Sequence, residues 1–344
     1  MAIEIEDVFI PEPTIKVEKK SIVQADSVFK VFMGFFAVIV LVILVWLGIQ
    51  LYMSSRLAFS SLGFWTFIKG TTWDPVSGVF GALPFIYGTI VTAFLSLAIA
   101  TPLGVGTAIF LAELSPKWLR RSLQPLVELL AGIPSVIYGL WGIFVLSPLM
   151  ASRVEPFLES RFGFLPIFTG YPLGVGFLTA SIILAIMIVP FIISVSTEVL
   201  STVPVALKEG MYALGATRWE TMKKISLPFA KSGIFGSIIL ALARALGETM
   251  AVTMVIGNTP QISKSLFDPG YTMAAVIANE FTEATSDSYL SALVAVAFIL
   301  LLITLLVNAI ARWLIWRTTR SPKQKEVAPN VAARWFIWKT AKAK

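Results

Sequence analysis

Histidine and cysteine are both missing from this 344-residue chain. Their absence removes the ordinary ligands of zinc, haem and iron–sulfur centres, together with disulfides, thiol nucleophiles and imidazole bases. Charge is scarce too: Asp, Glu, Lys and Arg make up 14% of the residues, whereas 57% are hydrophobic. A soluble domain carries roughly 25% charged residues, and its surface requires them. The shortage excludes a water-soluble globule and points to a chain embedded in lipid. No G-x4-G-K-[ST] phosphate loop occurs in the sequence, so the chain lacks that means of hydrolysing ATP.

What the chain has instead is long apolar runs. A membrane-spanning helix needs about 20 apolar residues. Charge is absent from 31–55, 75–112, 129–152, 162–197 and 288–311, and the run 232–263 is broken only by Arg244 and Glu248. As a single helix, 75–112 would be about 57 Å long, too long for one span. Pro84 with Gly88, and Pro172 with Gly174 and Gly176, mark where helices start inside the two longest runs. The pattern predicts an all-α, polytopic membrane protein with six transmembrane helices at 29–53, 83–112, 126–149, 173–199, 229–257 and 288–316. An eight-helix arrangement would need tight hairpins inside the long runs. The domain reading is a cytoplasmic tail over 1–28, a membrane domain over 29–316 with an inner loop at 200–228, and a cytoplasmic tail over 317–344. The first apolar run exceeds the 7–15 residues of a signal-peptide core, so it reads as a retained helix.

Lys and Arg in the loops set the orientation. With both termini inside, the outer loops hold only Arg56, Lys69, Arg153, Arg161 and Lys264; all others except Arg244 fall on the inner side. The net charge of +7 therefore reads as a basic rim beside anionic membrane lipid. No basic–aromatic module points to nucleic acid. Two short repeats occur. Residues 102–106 recur as 172–176, without the third glycine or the strand of a dinucleotide fingerprint. The Trp-rich stretch 311–318 recurs at 333–340. Its second copy is too short to span, and reads either as an interfacial segment on the inner leaflet or as an unstructured tail.

Arg244 and Glu248 stand near the middle of the fifth predicted helix. A central charge costs about 2.5–3.5 kcal/mol on insertion scales, and i, i+4 spacing puts both on one face. One reading is a self-neutralising salt bridge that lets the helix insert. The other is a polar face on a substrate path, in which the guanidinium fork holds an oxyanion. A nearby carboxylate would accept a hydrogen bond from a protonated oxyanion such as phosphate and repel one without a proton, such as sulfate. Glu113, Glu128 and Glu198 sit near predicted helix ends and read as capping or snorkelling groups.

The inner loop predicts a short helix that leaves the membrane. Ser201, Thr202 and Pro204 mark its start, Leu207, Met211 and Leu214 give it an apolar ridge, and Gly215 closes it. Thr217 to Glu220 forms a capping box for the next helix, and Pro228 is expected to bend the chain into the fifth span. By physics alone this helix could lie flat on lipid or project into the cytoplasm.

Glu209-Gly210-Met211, then Leu214-Gly215, then Ile225, Leu227 and Pro228 resemble the EAA loop of ABC importer permeases, with Gly210 and Met211 in place of two alanines. The segments at 80–89, 128–142 and 242–252 resemble the phosphate-specific PstC family of such permeases over about residues 30–316. The resemblance implies a type I permease fold and a coupling helix that docks on an ATPase subunit. It implies that Arg244 and Glu248 serve phosphate passage. It also implies a second, PstA-like permease, an ATPase dimer (PstB-like) carrying ATP and Mg, and a PstS-like external phosphate-binding protein. This chain would then be a non-catalytic subunit with no cofactor or metal of its own. The competing readings are a permease for molybdate or sulfate, a stand-alone carrier, and an intramembrane protease. The last has no histidine, and beyond the N-terminal segment its aspartates (Asp74, Asp268, Asp287) all lie in outer loops.

Overall fold

The computed structural model describes residues 19–319, with side chains from 29 to 317. The tails assigned to 1–28 and 317–344, with the second Trp-rich repeat, lie largely outside the described residues. The chain divides between Gln50 and Leu51 into two units. Among the described residues, six helices are long and apolar enough to cross a membrane. The first, α1 (Lys19–Ser54), begins earlier than expected because nothing in 19–28 stops a helix. In the second unit, α2 (Arg56–Leu62), α3 (Phe64–Lys69) and a two-residue hairpin of β1 (Trp73–Asp74) and β2 (Val79–Phe80) lead to α4 (Leu83–Leu114). Next come α5 (Lys117–Ala131) and α6 (Ser135–Phe162), then α7 (Phe177–Ser201). After them stand α8 (Val205–Ala213), α9 (Arg218–Leu246), α10 (Met250–Val255), α11 (Met273–Glu280) and α12 (Asp287–Thr319).

Three predicted spans need correction. The third, expected at 126–149, is two helices: α5 ends at Ala131 and α6 starts at Ser135, with Pro134 out of the helical region (ψ 138°) in the break at 132–134, where the residue before a proline resists the helical region. The fourth begins at Phe177 and not at 173, because Gly174 has φ +72° and Gly176 lies in extended backbone. The fifth, expected at 229–257, starts at Arg218 and breaks at 247–249. Pro228, expected to bend the chain into the fifth span, lies inside α9. A wide π turn, Met222–Ser226, immediately precedes it. The same device precedes Pro148 and Pro156 in α6, after π turns at Gly142–Leu146 and Met150–Val154. Proline lacks an N–H and its ring crowds the carbonyl four residues back, so a wider turn lets the helix continue.

The core surrounds α7, whose Ile183, Leu184, Ile188 and Ile192 are fully buried. A second cluster gathers Trp73, Phe85, Tyr271 and Tyr289 near the start of α4. This end of the bundle is held by backbone. The first N–H groups of a helix lack partners within it. In α7 they find them elsewhere: Phe177 N–H donates to Asp268 O at 3.2 Å, and Leu178 N–H donates to Leu266 O at 2.8 Å. Met273 N–H donates to Thr89 Oγ1 at 2.9 Å. A Cβ on Gly88 would collide with Tyr271 O, so backbone meets backbone there. Overpacking of this kind costs about 1–3 kcal/mol. Gly88→Ala should therefore lower the thermal unfolding midpoint of the detergent-solubilised protein, whereas Gly34→Ala, inside α1 with nothing within 4 Å of its Cβ, should not lower it. The segment after α10 forms a loop that packs on α7 and then the capped helix α11, where Thr272 Oγ1 accepts from Ala275 N–H at 3.3 Å. Burial pushes the Tyr271 phenol pKa well up, with Asn279 donating to its oxygen at 3.1 Å.

Candidate functional site

The two helix breaks fall close together. Ser196 Oγ and Ser237 Oγ are 2.8 Å apart, and a Cβ on Gly233 would collide with Val199 Cγ1, so α7 and α9 run antiparallel. Past the break, Gly176 N–H donates to Val255 O at 3.0 Å. That register places Arg244 beside the middle of α7. The helices beyond the two breaks pack on each other: a Cβ on Gly139 of α6 would lie 3.2 Å from Ala251 Cα of α10. Tyr138, buried, donates its hydroxyl to Leu130 O at 2.9 Å, which satisfies one of the last carbonyls of α5 across the gap.

Arg244 and Glu248 do not form the expected i, i+4 pair on one helix face. Arg244 lies in the last turn of α9, and Glu248 lies in the break beyond Gly247. No ion pair within 4.0 Å joins them among the described residues. Each charge is instead matched to a helix end. A cation is favoured at a C-terminus and an anion at an N-terminus, and Glu248 Oε1 accepts from Ala251 N–H in the first turn of α10 at 3.3 Å. Arg244 is exposed and has no hydrogen-bond partner among the described residues; Glu248 is half-buried. A salt bridge that neutralises both is therefore not the reason they are tolerated. An exposed guanidinium fork at mid-span can hold a planar pair of oxygens on an anion.

The second set of predicted residues lies at the opposite end of the bundle. In α8, Glu209 and Gly210 are exposed and Met211 is half-buried. Leu214, just past the helix, is 85% exposed, and Trp219 is 62% exposed. Gly215 has φ +79°, and Ala216 N–H donates to Met211 O at 3.1 Å, a left-handed helix end that favours glycine. The capping box is formed: Glu220 N–H donates to Thr217 Oγ1 at 3.3 Å and Thr217 N–H donates to Glu220 Oε2 at 2.9 Å. Ile225 and Leu227 are half-buried and Pro228 is exposed. Ser201 and Thr202 do not cap α8 as expected; their hydroxyls donate to Glu198 O and Val199 O at the end of α7. The structure thus sets Arg244 and Glu248 on either side of Gly247, at the end of α9, and exposes Leu207, Leu214 and Trp219 on the loop.

Sequence reasoning missed Tyr138, the break at 132–134, and the partner of Glu113, which is Lys208 at 2.7 Å. The break was signalled by Gly132 and Pro134. The ion pair had no signal, since its residues are far apart in sequence.

Residues 100–320 match the family described as "Binding-protein-dependent transport system inner membrane component". The phosphate transport system permease protein PstC of Mesorhizobium japonicum is 50% identical over 296 residues, covering 85% of this chain and 90% of that protein. The protein of the same name from Xylella fastidiosa is 48% identical over 301 residues, covering 86% and 92%. In three dimensions the chain resembles a subunit of a bacterial alginate ABC transporter, with a TM-score of 0.55 at 19% identity, covering 88% of this chain and 98% of that one. It also resembles a subunit of the MetNI methionine ABC transporter, with a TM-score of 0.52 at 18% identity, covering 72% and 100%. These two likenesses concern fold alone and agree with an all-α polytopic permease. With the match spanning well over half its length, the chain belongs to the family of inner-membrane components of binding-protein-dependent transport systems.

Proposed function

We propose that this subunit carries inorganic phosphate inward across the membrane in an ATP-driven importer. The observation that carries the reading is the exposed Arg244 guanidinium at mid-span, without a hydrogen-bond or ion-pair partner among the described residues, in a chain whose relatives from two organisms are named phosphate permeases. Phosphate has two oxygens for the fork, and its monoprotonated form has a hydroxyl to donate. Glu248 accepts a hydrogen bond from that hydroxyl, and it repels sulfate, which has no proton to donate at neutral pH. Molybdate is disfavoured on the same ground. A bare anion in hydrocarbon would cost tens of kcal/mol, so phosphate crosses either hydrated or coordinated by these groups.

Both termini and α8 lie in the cytoplasm in this reading. The ridge of α8 docks on an ATPase dimer that binds ATP and Mg, a second permease completes the pathway, and an external binding protein delivers phosphate. Closure of the ATPase moves α8. The motion passes along α9, which runs unbroken from Arg218 through Pro228 to Leu246, and reorients the break toward one side at a time. The test is uptake of labelled phosphate into vesicles that contain the whole complex, with and without the ATPase subunit. Uptake should require ATP and should resist excess sulfate. Uptake that proceeds without the ATPase, or equal competition by sulfate, overturns the reading.

A further inference from the structure

We propose that the Lys208–Glu113 ion pair is the strap that couples α8 to the second span, and that these two residues position α4 during transport. The inference rests on the function proposed above. Lys208 Nζ lies 2.7 Å from Glu113 Oε1, and the two side chains are only 18% and 10% exposed. The pair is thus largely out of water and little screened by salt.

Its setting explains why it is there. α8 has no buried residue. Lys208 makes its only side-chain hydrogen bond or ion pair among the described residues. The helix is joined through the backbone to α7 before it and α9 after it, but not to α4. Without the pair, a push on α8 reaches α4 only indirectly. Glu113 stands in the π turn Phe110–Leu114 that ends α4. One extra residue in a turn rotates the chain beyond it by about 100° relative to a regular helix. Such turns recur at functional positions. Leu111 in the same turn is 2% exposed, so the turn is anchored in the bundle. Further along, a Cβ on Gly104 of α4 would lie 2.7 Å from Ile192 Cγ2 of α7, so displacement of α4 cannot leave α7 behind.

Stability does not account for the pair. A desolvated ion pair is often no better for folding than apolar groups of similar volume, and its best-attested use is to fix register. Here the register fixed is that of a projecting helix against a span to which it has no adjacent backbone link.

The test uses the complete complex with its ATPase and binding protein in vesicles, and measures phosphate uptake and ATP hydrolysis together. Glu113→Gln and Lys208→Gln should each lower the phosphate moved per ATP about tenfold, a typical coupling factor between sites, while hydrolysis persists. The charge-exchanged double variant Glu113→Lys with Lys208→Glu should recover most of that ratio. A purely structural role would lower uptake and hydrolysis in proportion and leave the ratio unchanged, and that result overturns the proposal. If a single variant fails to assemble, the exchanged pair decides: an assembled complex with restored coupling supports the strap, and an uncoupled or unassembled one overturns it. Absence of ATP-dependent phosphate uptake in the unaltered complex would overturn the function reading itself, and is distinguishable from these outcomes.

Discussion

Arg244→Gln should reduce ATP-driven phosphate uptake about a hundredfold while the complex still assembles. A hydrogen bond to a charged group contributes about 1.5–3 kcal/mol, and tenfold in rate corresponds to about 1.4 kcal/mol. Glutamine keeps a polar side chain but loses both the charge and the fork. The fold should survive, because Arg244 is exposed and has no hydrogen-bond or ion-pair partner to leave behind among the described residues. Glu248→Gln separates cargo selection from passage. In the proposed reading it removes the carboxylate that accepts a hydrogen bond from the phosphate hydroxyl, and it keeps an oxygen able to receive the Ala251 N–H. Phosphate uptake should fall, and competition by sulfate should strengthen. Normal uptake in Arg244→Gln, checked with labelled phosphate in vesicles, would show that the anion travels elsewhere.

The second large effect is expected from Glu209→Lys. Glu209 is exposed on α8 and has no hydrogen-bond or ion-pair partner among the described residues, so the substitution should leave the permease folded with an unchanged thermal midpoint. In the same loop, Leu207 is 46%, Leu214 85% and Trp219 62% exposed. Contiguous exposed apolar groups of this kind mark contact surfaces, and a few central residues usually dominate such an interface. Reversing the charge on this exposed helix should release the ATPase on affinity purification and end ATP-driven uptake. Retention of the ATPase at wild-type stoichiometry would mean that the ridge faces lipid. Gly210 adjoins open space, with nothing within 4 Å of a Cβ. Its place in the ridge is therefore no obstacle to alanine, and Gly210→Ala should keep the ATPase bound.

The number of spans was legible in the sequence because it depends on runs of apolar residues, which need no tertiary knowledge. The coupling loop was legible for a different reason: Gly215 and the Thr217–Glu220 capping box are local devices whose geometry depends on neighbouring residues. Helix interruptions were read less well. Pro134 falls inside the helix expected at 126–149, although the residue before a proline resists the helical region. A bend is expected at Pro228, yet π turns upstream let α6 and α9 run through prolines. Gly247 gave a weaker hint, since one glycine in an apolar run does not announce a break. The separation of Arg244 from Glu248 results from that break and lay beyond reach of spacing rules. Glu113 and Lys208 meet only because α4 and α8 come together at one end of the fold, and no periodicity within either segment reports it.

The backbone contacts at Gly88, Gly176 and Tyr271 bear on how such a bundle can swing. Glycines pressed directly onto carbonyls leave no slack for neighbouring rods to slide. That end behaves as a fulcrum, while α8 at the far end is a lever arm tied on by few side-chain contacts. Movement at the fulcrum side then requires these helices to tilt together, and displacements of the lever would be carried along the length of α9.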